Sequence, residues 1–108
     1  MHTDQSPAGG GEGSAPEPFQ LFLASLATCA GIYVLGFCQA RGISTEGLTL
    51  TQHQRFDPLT RRLERVEIEI ALPSSFPPQY RAALVQAASA CAVKKVLTSP
   101  PEIEVRAA

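Results

Sequence analysis

The stretch from Phe19 to Cys38, FQLFLASLATCAGIYVLGFC, contains no charged side chain. A helix rises about 1.5 Å per residue, so this stretch would span roughly 30 Å, which fits either a buried core helix or a membrane crossing. Several of its residues are small or polar, its flanks hold no cluster of basic residues, and the chain has no tryptophan to mark a membrane interface. We therefore predict a buried central helix and no membrane as a partner.

Both ends of this helix carry recognisable signals. Pro18 suits the first turn, where its missing N–H group is not needed, and Glu17 places negative charge at the positive end of the helix dipole. At the other end Arg41 complements the dipole, and Gly42 can adopt the left-handed conformation that closes a helix. The sequence predicts a helix over residues 18–41.

Residues 1–16, MHTDQSPAGGGEGSAP, have almost no side chain to bury, which predicts a flexible lead-in to one domain at 17–108. Alternatively, part of this segment folds over a pocket near the helix start. Acidic residues precede the apolar stretch, whereas a secretory signal begins with basic residues, so we expect no signal peptide. An expected lack of a signal peptide and a count of only three cysteines together indicate a reducing, cytoplasmic compartment.

The segment after the central helix predicts an antiparallel hairpin. Residues 46–56 alternate between apolar and polar side chains, and residues 62–72 do the same after an Asp-Pro turn. His53 falls on the polar face, which favours a solvated histidine over a catalytic one. The residues expected to face the core are Leu48, Leu50, Phe56, Val66, Ile68, Ile70 and Leu72.

Two further helices and a strand are predicted toward the end of the chain. Helical spacing covers 77–90, a short helix covers 92–98, and alternation at 102–106 predicts a last strand. The resulting order of helix, hairpin, helix, short helix and strand defines the α+β fold class.

The central helix also indicates an assembly. A helix that is apolar on every face needs cover on every face, and one chain of 108 residues has few other elements to supply it. We infer an intimate homodimer in which the central helices of two copies pack together and each sheet covers one outer side. The net charge of −1, with both signs interspersed, does not favour a nucleic acid partner.

The three cysteines have different surroundings. Cys29 lies mid-helix among small residues that leave room beside its sulfur for another helix or a small ligand. Cys91 begins a helical turn and is followed by Lys94 and Lys95, so free backbone N–H groups and positive charge both favour a thiolate there. Cys38 lies on the opposite helix face from Cys29, which predicts a packed core thiol. Inert, buried roles for the other two cysteines stay open on these residues alone.

Metal binding is not predicted. The cysteines lack the spacing of a metal motif, and both histidines are distant from them in the sequence.

Three segments resemble the OsmC/Ohr family. The pattern P-x-Q-L-F-L-A-S-L-A-T-C from Pro18 to Cys29, followed by Arg-Gly, is similar to its central helix. The segment ACAVKKVLTSPPEIEV resembles its second cysteine motif and closing strand, and RLERVEIEIALP resembles the strand between them. The match covers about residues 17–106.

The resemblance implies an intertwined α+β homodimer and a thiol-dependent peroxidase that reduces organic hydroperoxides. Cys29 matches the peroxidatic cysteine, whose thiolate attacks the peroxide. Cys91 matches the resolving cysteine, which forms a disulfide that a dithiol later reduces. The family pattern implies no cofactor, and it makes the apolar helix one wall of a pocket suited to an organic hydroperoxide.

The sequence departs from this pattern at three places. Family enzymes carry N-terminal strands that supply an arginine to the reactive thiolate, but no arginine precedes Arg41 here. Phe19 and Gln20 stand where a glutamate usually partners that arginine, and Ala92 replaces a proline. Without a nearby cation, apolar surroundings predict a raised pKa for Cys29. The alternative function is therefore a non-catalytic protein that binds a small ligand or senses oxidation.

Overall fold

The structure, a computed structural model, describes residues 1–108 and contains three α-helices and one antiparallel hairpin. The predicted α+β class is confirmed. The elements are α1 (Pro18–Ala40), β1 (Thr49–Phe56), β2 (Leu63–Ala71), α2 (Arg81–Ser89) and α3 (Ala92–Thr98), with short 3-10 turns at Pro7–Gly9 and Pro78–Tyr80.

Both ends of α1 are closed by local hydrogen bonds. The Gln20 side-chain oxygen accepts the backbone N–H of Glu17 at 2.9 Å, so a side chain satisfies a free donor at the helix start. At the far end Gly42 has a φ of 65°, and the N–H of Ile43 bonds the carbonyl of Cys38 at 2.9 Å. The predicted helix bounds are confirmed to within one residue.

The hairpin presents one face to α1 and the other to water. Thr49 pairs with Ala71, and this register continues to a bulge beside Phe56. His53 is exposed opposite Glu67, as its place on the polar face predicted. Six of the positions expected to face the core are half-buried: Leu48, Leu50, Val66, Ile68, Ile70 and Leu72. The expectation was wrong for Phe56, which is 44% exposed because it lies beyond the register shift at the end of β1, where its ring approaches Phe19 at 6.4 Å.

The core lies where α1 crosses α2. Leu84 of α2 is fully buried, and its neighbours from α1 include Val34 and Phe37. The seven buried residues of this cluster are Ala30, Val34, Phe37, Cys38, Phe76, Leu84 and Ala88. Only nine of the 108 residues are buried, although 44% of the chain is hydrophobic, so the single chain leaves much of its apolar surface uncovered.

We expect Leu84→Ala to lower the free energy of unfolding by about 3 kcal/mol, because it removes a fully buried side chain and leaves a cavity between α1 and α2. Urea denaturation followed by circular dichroism measures this change. Val85→Ala on the same helix is the control, since Val85 is 50% exposed and its loss should change stability by less than about 1 kcal/mol. Equal effects of the two substitutions would contradict the position of the core.

One side of α1 has no cover within the chain. Ile32 is 69% exposed and Leu35 is 43% exposed, and Gly36 beside them is also exposed. The radius of gyration is 17.2 Å, against about 13 Å for a compact chain of this length. By length and composition alone α1 could cross a membrane, but buried helices of protein cores pass the same test.

The ends of the chain differ from the sequence prediction in part. The predicted strand at 102–106 is wrong for the single chain, because no neighbouring strand hydrogen-bonds to it, and Ile103 is 82% exposed. Near the start, the carboxylate of Asp4 accepts the N–H groups of Glu12 and Ser14 and closes a compact turn. The flexibility expected for residues 1–16 stays a prediction.

The helix predicted over 77–90 begins later than expected. Its first turn is of the 3-10 type, and α2 itself starts at Arg81. The reason is local, since Pro78 disfavours the α conformation of the residue before it, and Pro77 is extended, with φ of −62° and ψ of 117°.

Candidate functional site

Cys29 and Cys91 meet where α1 passes the junction between α2 and α3. Cys29 is half-buried, Cys91 is 2% exposed, and both are free thiols. The two thiols lie close enough for the Cys91 side chain to lower the pKa of Cys29. The fold therefore brings together two candidate site residues that are far apart in the sequence.

Cys91 owes its position to a break between two helices. Its backbone is extended, with φ of −63° and ψ of 148°, so it separates the end of α2 from the first residue of α3. Its sulfur accepts the N–H of Lys94 at 3.4 Å, and its carbonyl accepts the N–H of Lys95 at 3.1 Å. Cys91 is thus the N-cap residue of α3, and capping fixes its side chain beside the first turn.

The surroundings of Cys29 favour its thiolate. Hydrogen bonding from the backbone N–H of Val93 is the main cause that lowers the pKa of Cys29 below that of an ordinary cysteine. The Cys91 thiol and the backbone N–H of Ala92 lower the pKa further, and partial burial opposes them. The expected net rise in the pKa of Cys29 was wrong, because these hydrogen bonds outweigh the effect of burial and take the place of a nearby cation.

Ala92 contributes to this environment because it is not a proline. The family pattern has a proline after the second cysteine, and a proline has no N–H group to donate. The sequence had indicated the free amides here as stabilising a thiolate at Cys91. In the structure the amides of Ala92 and Val93 lower the pKa of Cys29 instead.

No arginine contributes to the lowered pKa of Cys29. Arg55 pairs with Glu64 at 3.3 Å on the exposed face of the hairpin. Gln20, at a position where the family pattern has its glutamate, is used to cap α1. Within one chain, backbone amides rather than an arginine and glutamate support the candidate site.

Cys38 is separate from this pair. It is 0% exposed in the core, and burial raises its pKa, with the positive charge of Arg41 opposing the shift. The Arg41 guanidinium lies 3.7 Å from the centre of the Phe37 ring. The assignment of Cys38 as a packed core thiol is confirmed.

A cavity of about 390 Å³ adjoins Cys91. Its walls come from α1, β2, α2 and α3, and nine of its twelve lining residues are hydrophobic. The resemblance implied an apolar pocket beside α1, but only the packing of these four elements gives its position and size. No group of three His, Cys, Asp or Glu side chains is placed to hold a metal ion.

These features define a class: an α+β protein in which a long apolar helix carries one cysteine of an adjacent pair and a helix junction carries the other. The chain belongs to the OsmC family, since the model of the family described as OsmC-like protein matches residues 11–106. None of the curated protein sequences compared with the chain matches it.

Two solved structures are similar to this chain. The first is a proposed osmotic stress induced and detoxification response protein from Psychrobacter arcticus 273-4. It has a TM-score of 0.71 and 25% identity, over 86% of this chain and 68% of the other. The second is an organic hydroperoxide resistance protein OsmC from Legionella pneumophila. It has a TM-score of 0.53 and 23% identity, over 87% of this chain and 70% of the other, and shows a shared fold.

Proposed function

We propose that this protein is a thiol-dependent peroxidase that reduces organic hydroperoxides through Cys29 and Cys91. The observation that carries the proposal is the adjacency of the two thiols, together with the lowered pKa of Cys29. Membership in the OsmC family supports a redox role in general, and the Legionella pneumophila neighbour is named an organic hydroperoxide resistance protein. The catalytic residues are Cys29 as nucleophile and Cys91 as resolving thiol.

The proposed reaction has two steps on the protein. The Cys29 thiolate attacks the terminal peroxide oxygen, the O–O bond breaks, and the alkoxide leaves and takes a proton to become an alcohol. This leaves a sulfenic acid on Cys29. The sulfur of Cys91 then attacks the sulfur of Cys29, and the hydroxyl group leaves as water with the Cys91 proton. One hydroperoxide thus becomes one alcohol and one water while two thiols become a disulfide.

A dithiol completes the proposed cycle. It reduces the disulfide by exchange, and its own two sulfurs become oxidised. We place this cycle in a reducing, cytoplasmic compartment, because all three cysteines are free thiols and such a compartment supplies thiol reductants.

The disulfide tests this proposal directly. We expect one equivalent of cumene hydroperoxide to remove two hydrogen atoms from the mass of the protein and to join the peptides that contain Cys29 and Cys91. Non-reducing peptide mass spectrometry measures both changes. The control is Cys38→Ala, which should form the same bridge because Cys38 is buried away from the pair. Two thiols that remain free after treatment, or a bridge through Cys38, would contradict the proposed pair.

We also propose that the working form is a homodimer built on the uncovered side of α1. Leu35 lies nine residues from the buried Leu26, which is about two and a half turns and puts it on the opposite face of the helix. The hairpin leaves both outer edges unpaired, and residues 102–106 have an unpaired strand pattern. A second copy would cover the helix face and could pair with these edges.

We expect Ile32→Glu to shift the protein from dimer to monomer, because it places a charge in the centre of the proposed helix-to-helix contact. Size-exclusion chromatography with light scattering measures the mass at several concentrations. Leu59→Glu is the matched control, since Leu59 is 92% exposed at the hairpin turn and away from this face. A monomeric wild-type protein, or a dimer that tolerates both substitutions, would rule out this interface.

A second candidate function is non-catalytic ligand binding or redox sensing. The observations that favour it are the apolar cavity and the lack of an arginine beside Cys29. Steady-state turnover separates the two functions. A peroxidase consumes many equivalents of hydroperoxide with dithiol present, whereas a sensor reacts once and then stops.

A further inference from the structure

The first turn of α3 is held by the two thiols of the candidate site. The N–H of Lys94 donates to the Cys91 sulfur at 3.4 Å. The N–H groups of Ala92 and Val93 lower the pKa of Cys29 and so lie beside its sulfur. The first N–H groups of an α-helix have no carbonyl partner within the helix, so their acceptors must come from elsewhere. At this helix end, the acceptors are the sulfur atoms of the site.

Little else holds α3 in place. It has seven residues, none of which is buried. Val96 is 50% exposed and Leu97 is 48% exposed. Every residue of 99–108 is exposed and outside helix or strand, so the chain that follows does not anchor the far end of α3. Helices shorter than about 12–15 residues are marginal in water on their own. The stability of α3 therefore depends strongly on the cap at Cys91.

A bond between the two sulfurs removes this cap. Bond formation requires the Cys91 sulfur to point at Cys29 rather than at the Lys94 amide, and to approach closer than in any hydrogen bond. The bonded sulfurs are neutral and are weaker acceptors than a thiolate. The amides of the first turn of α3 thus lose their acceptors when the two cysteines are oxidised.

We propose that α3 is a redox-sensitive switch: the Cys29–Cys91 disulfide uncaps it, and the chain from Ala92 onward becomes mobile. This switch rests on the proposed function for its disulfide, which forms as two thiols lose two hydrogen atoms to the hydroperoxide. Its role is to give the reductant access. Cys91 is 2% exposed in the thiol form, whereas thiol–disulfide exchange requires a dithiol to reach a sulfur of the bond. Reduction then restores the cap and closes α3.

The protease Lys-C tests the switch, because Lys94 and Lys95 are the only lysines of the chain and both lie in α3. A protease cleaves a helix in its opened form, so the cleavage rate reports the opening of α3. Diamide prepares the disulfide form without a peroxide, since it takes two hydrogen atoms from the two thiols and becomes a hydrazine. We expect this form to be cleaved about threefold faster than the thiol form, the lower end of the effect of a lost N-cap.

Two variants separate the cap from the bond. Cys91→Ala has neither, so without any oxidant it should be cleaved as fast as the disulfide form of the wild-type protein. Cys91→Ser is the matched variant, because its hydroxyl can accept from the Lys94 amide but cannot form a disulfide. It should be cleaved slowly with or without diamide. Cleavage by Arg-C after Arg65 in β2 should not increase in any of these forms, since the opening is confined to α3.

Each outcome decides the inference. Equal cleavage of the disulfide and thiol forms by Lys-C would overturn the switch, even in a protein that turns over hydroperoxide. Faster cleavage after Arg65 as well would overturn it, because the whole fold would then open. A bridge that diamide forms and cumene hydroperoxide does not, with faster Lys-C cleavage, would support the switch and contradict the peroxidase. Two free thiols after diamide treatment, detected by mass spectrometry, would overturn the pair and the switch together.

Discussion

Cys29→Ser is expected to reduce the consumption of cumene hydroperoxide to the uncatalysed background, a fall of about a thousandfold or more. A serine hydroxyl ionises far less readily than a thiol, so the substitution removes the nucleophile while it changes the side chain by one atom. The backbone amides of Ala92 and Val93, which favour a thiolate at Cys29, cannot make an alkoxide available at neutral pH. A coupled assay with a dithiol reductant measures the rate.

The control for this experiment is Cys38→Ala. Cys38 is fully buried and its pKa is raised, so its removal should leave the peroxidase rate unchanged within about twofold. The same substitution should lower the free energy of unfolding by about 1 kcal/mol, because it removes a packed side chain from the core. A full rate in Cys29→Ser, or loss of activity in Cys38→Ala, would mean that the reactive thiol has been assigned to the wrong residue.

The second large effect is expected at Cys91, whose role as N-cap can be separated from its role as resolving thiol. Cys91→Ala removes the acceptor for the Lys94 N–H and the donor to Cys29. The pKa of Cys29 should rise toward that of an ordinary cysteine. Its alkylation by iodoacetamide near neutral pH should then slow several-fold, because a smaller fraction of Cys29 is ionised.

The direction of the pH dependence of Cys29 alkylation follows from its lowered pKa, because the thiolate is the form that reacts. A lowered pKa keeps Cys29 ionised to lower pH, so its alkylation in the native protein reaches half its plateau at a lower pH than in the urea-unfolded protein. Loss of the cap in Cys91→Ala moves this midpoint upward. Peptide mass spectrometry follows Cys29 separately from the buried Cys38.

Cys91→Ser is the matched variant. Its hydroxyl can accept from the amide of Lys94 and donate to the Cys29 sulfur, so the alkylation profile should stay close to that of the wild-type protein. Both variants lose the disulfide, since neither retains a second thiol. If Cys91→Ser and Cys91→Ala shift the midpoint equally, then Cys91 does not activate Cys29 by capping, and only its thiol matters.

Ala92→Pro tests how much a single backbone amide contributes to the lowered pKa of Cys29. Ala92 is the first residue of α3, a position where proline fits a helix, so the fold should be retained. The substitution deletes the N–H that Ala92 contributes, and the alkylation midpoint of Cys29 should move upward by less than in Cys91→Ala. An unchanged midpoint would assign the activation to Val93 and Cys91 alone.

Local patterns in the sequence predicted most of the elements. The uncharged run and its flanking Pro18 and Gly42 defined α1 to within one residue, and alternation defined the hairpin and its inner face. These features depend on helix ends and on side-chain periodicity, which act over a few residues. Alternation alone was insufficient at 102–106, because a strand also needs a hydrogen-bonding neighbour, and the single chain provides none.

The two candidate site cysteines were named from the sequence through its resemblance to the OsmC/Ohr family, but the pKa of Cys29 was not predicted correctly. The sequence has no arginine before Arg41, and this predicted a raised pKa for Cys29. The prediction could take account only of charged side chains, because the sequence does not show which backbone groups lie beside the thiol. The donors that lower this pKa are backbone amides, which every residue except proline has, so no sequence pattern marks them.

The sequence by itself determined the long apolar helix, the order of the helices and the hairpin, and the separate character of Cys38. Only the tertiary structure decided that the first turn of α3 faces Cys29 and that a cavity with one lysine opens beside Cys91. The physical reason is the range of the forces involved. Helix capping and periodicity act between neighbours in the chain, whereas an amide stabilises a thiolate only when the packing of α1 against α2 and α3 brings them into contact.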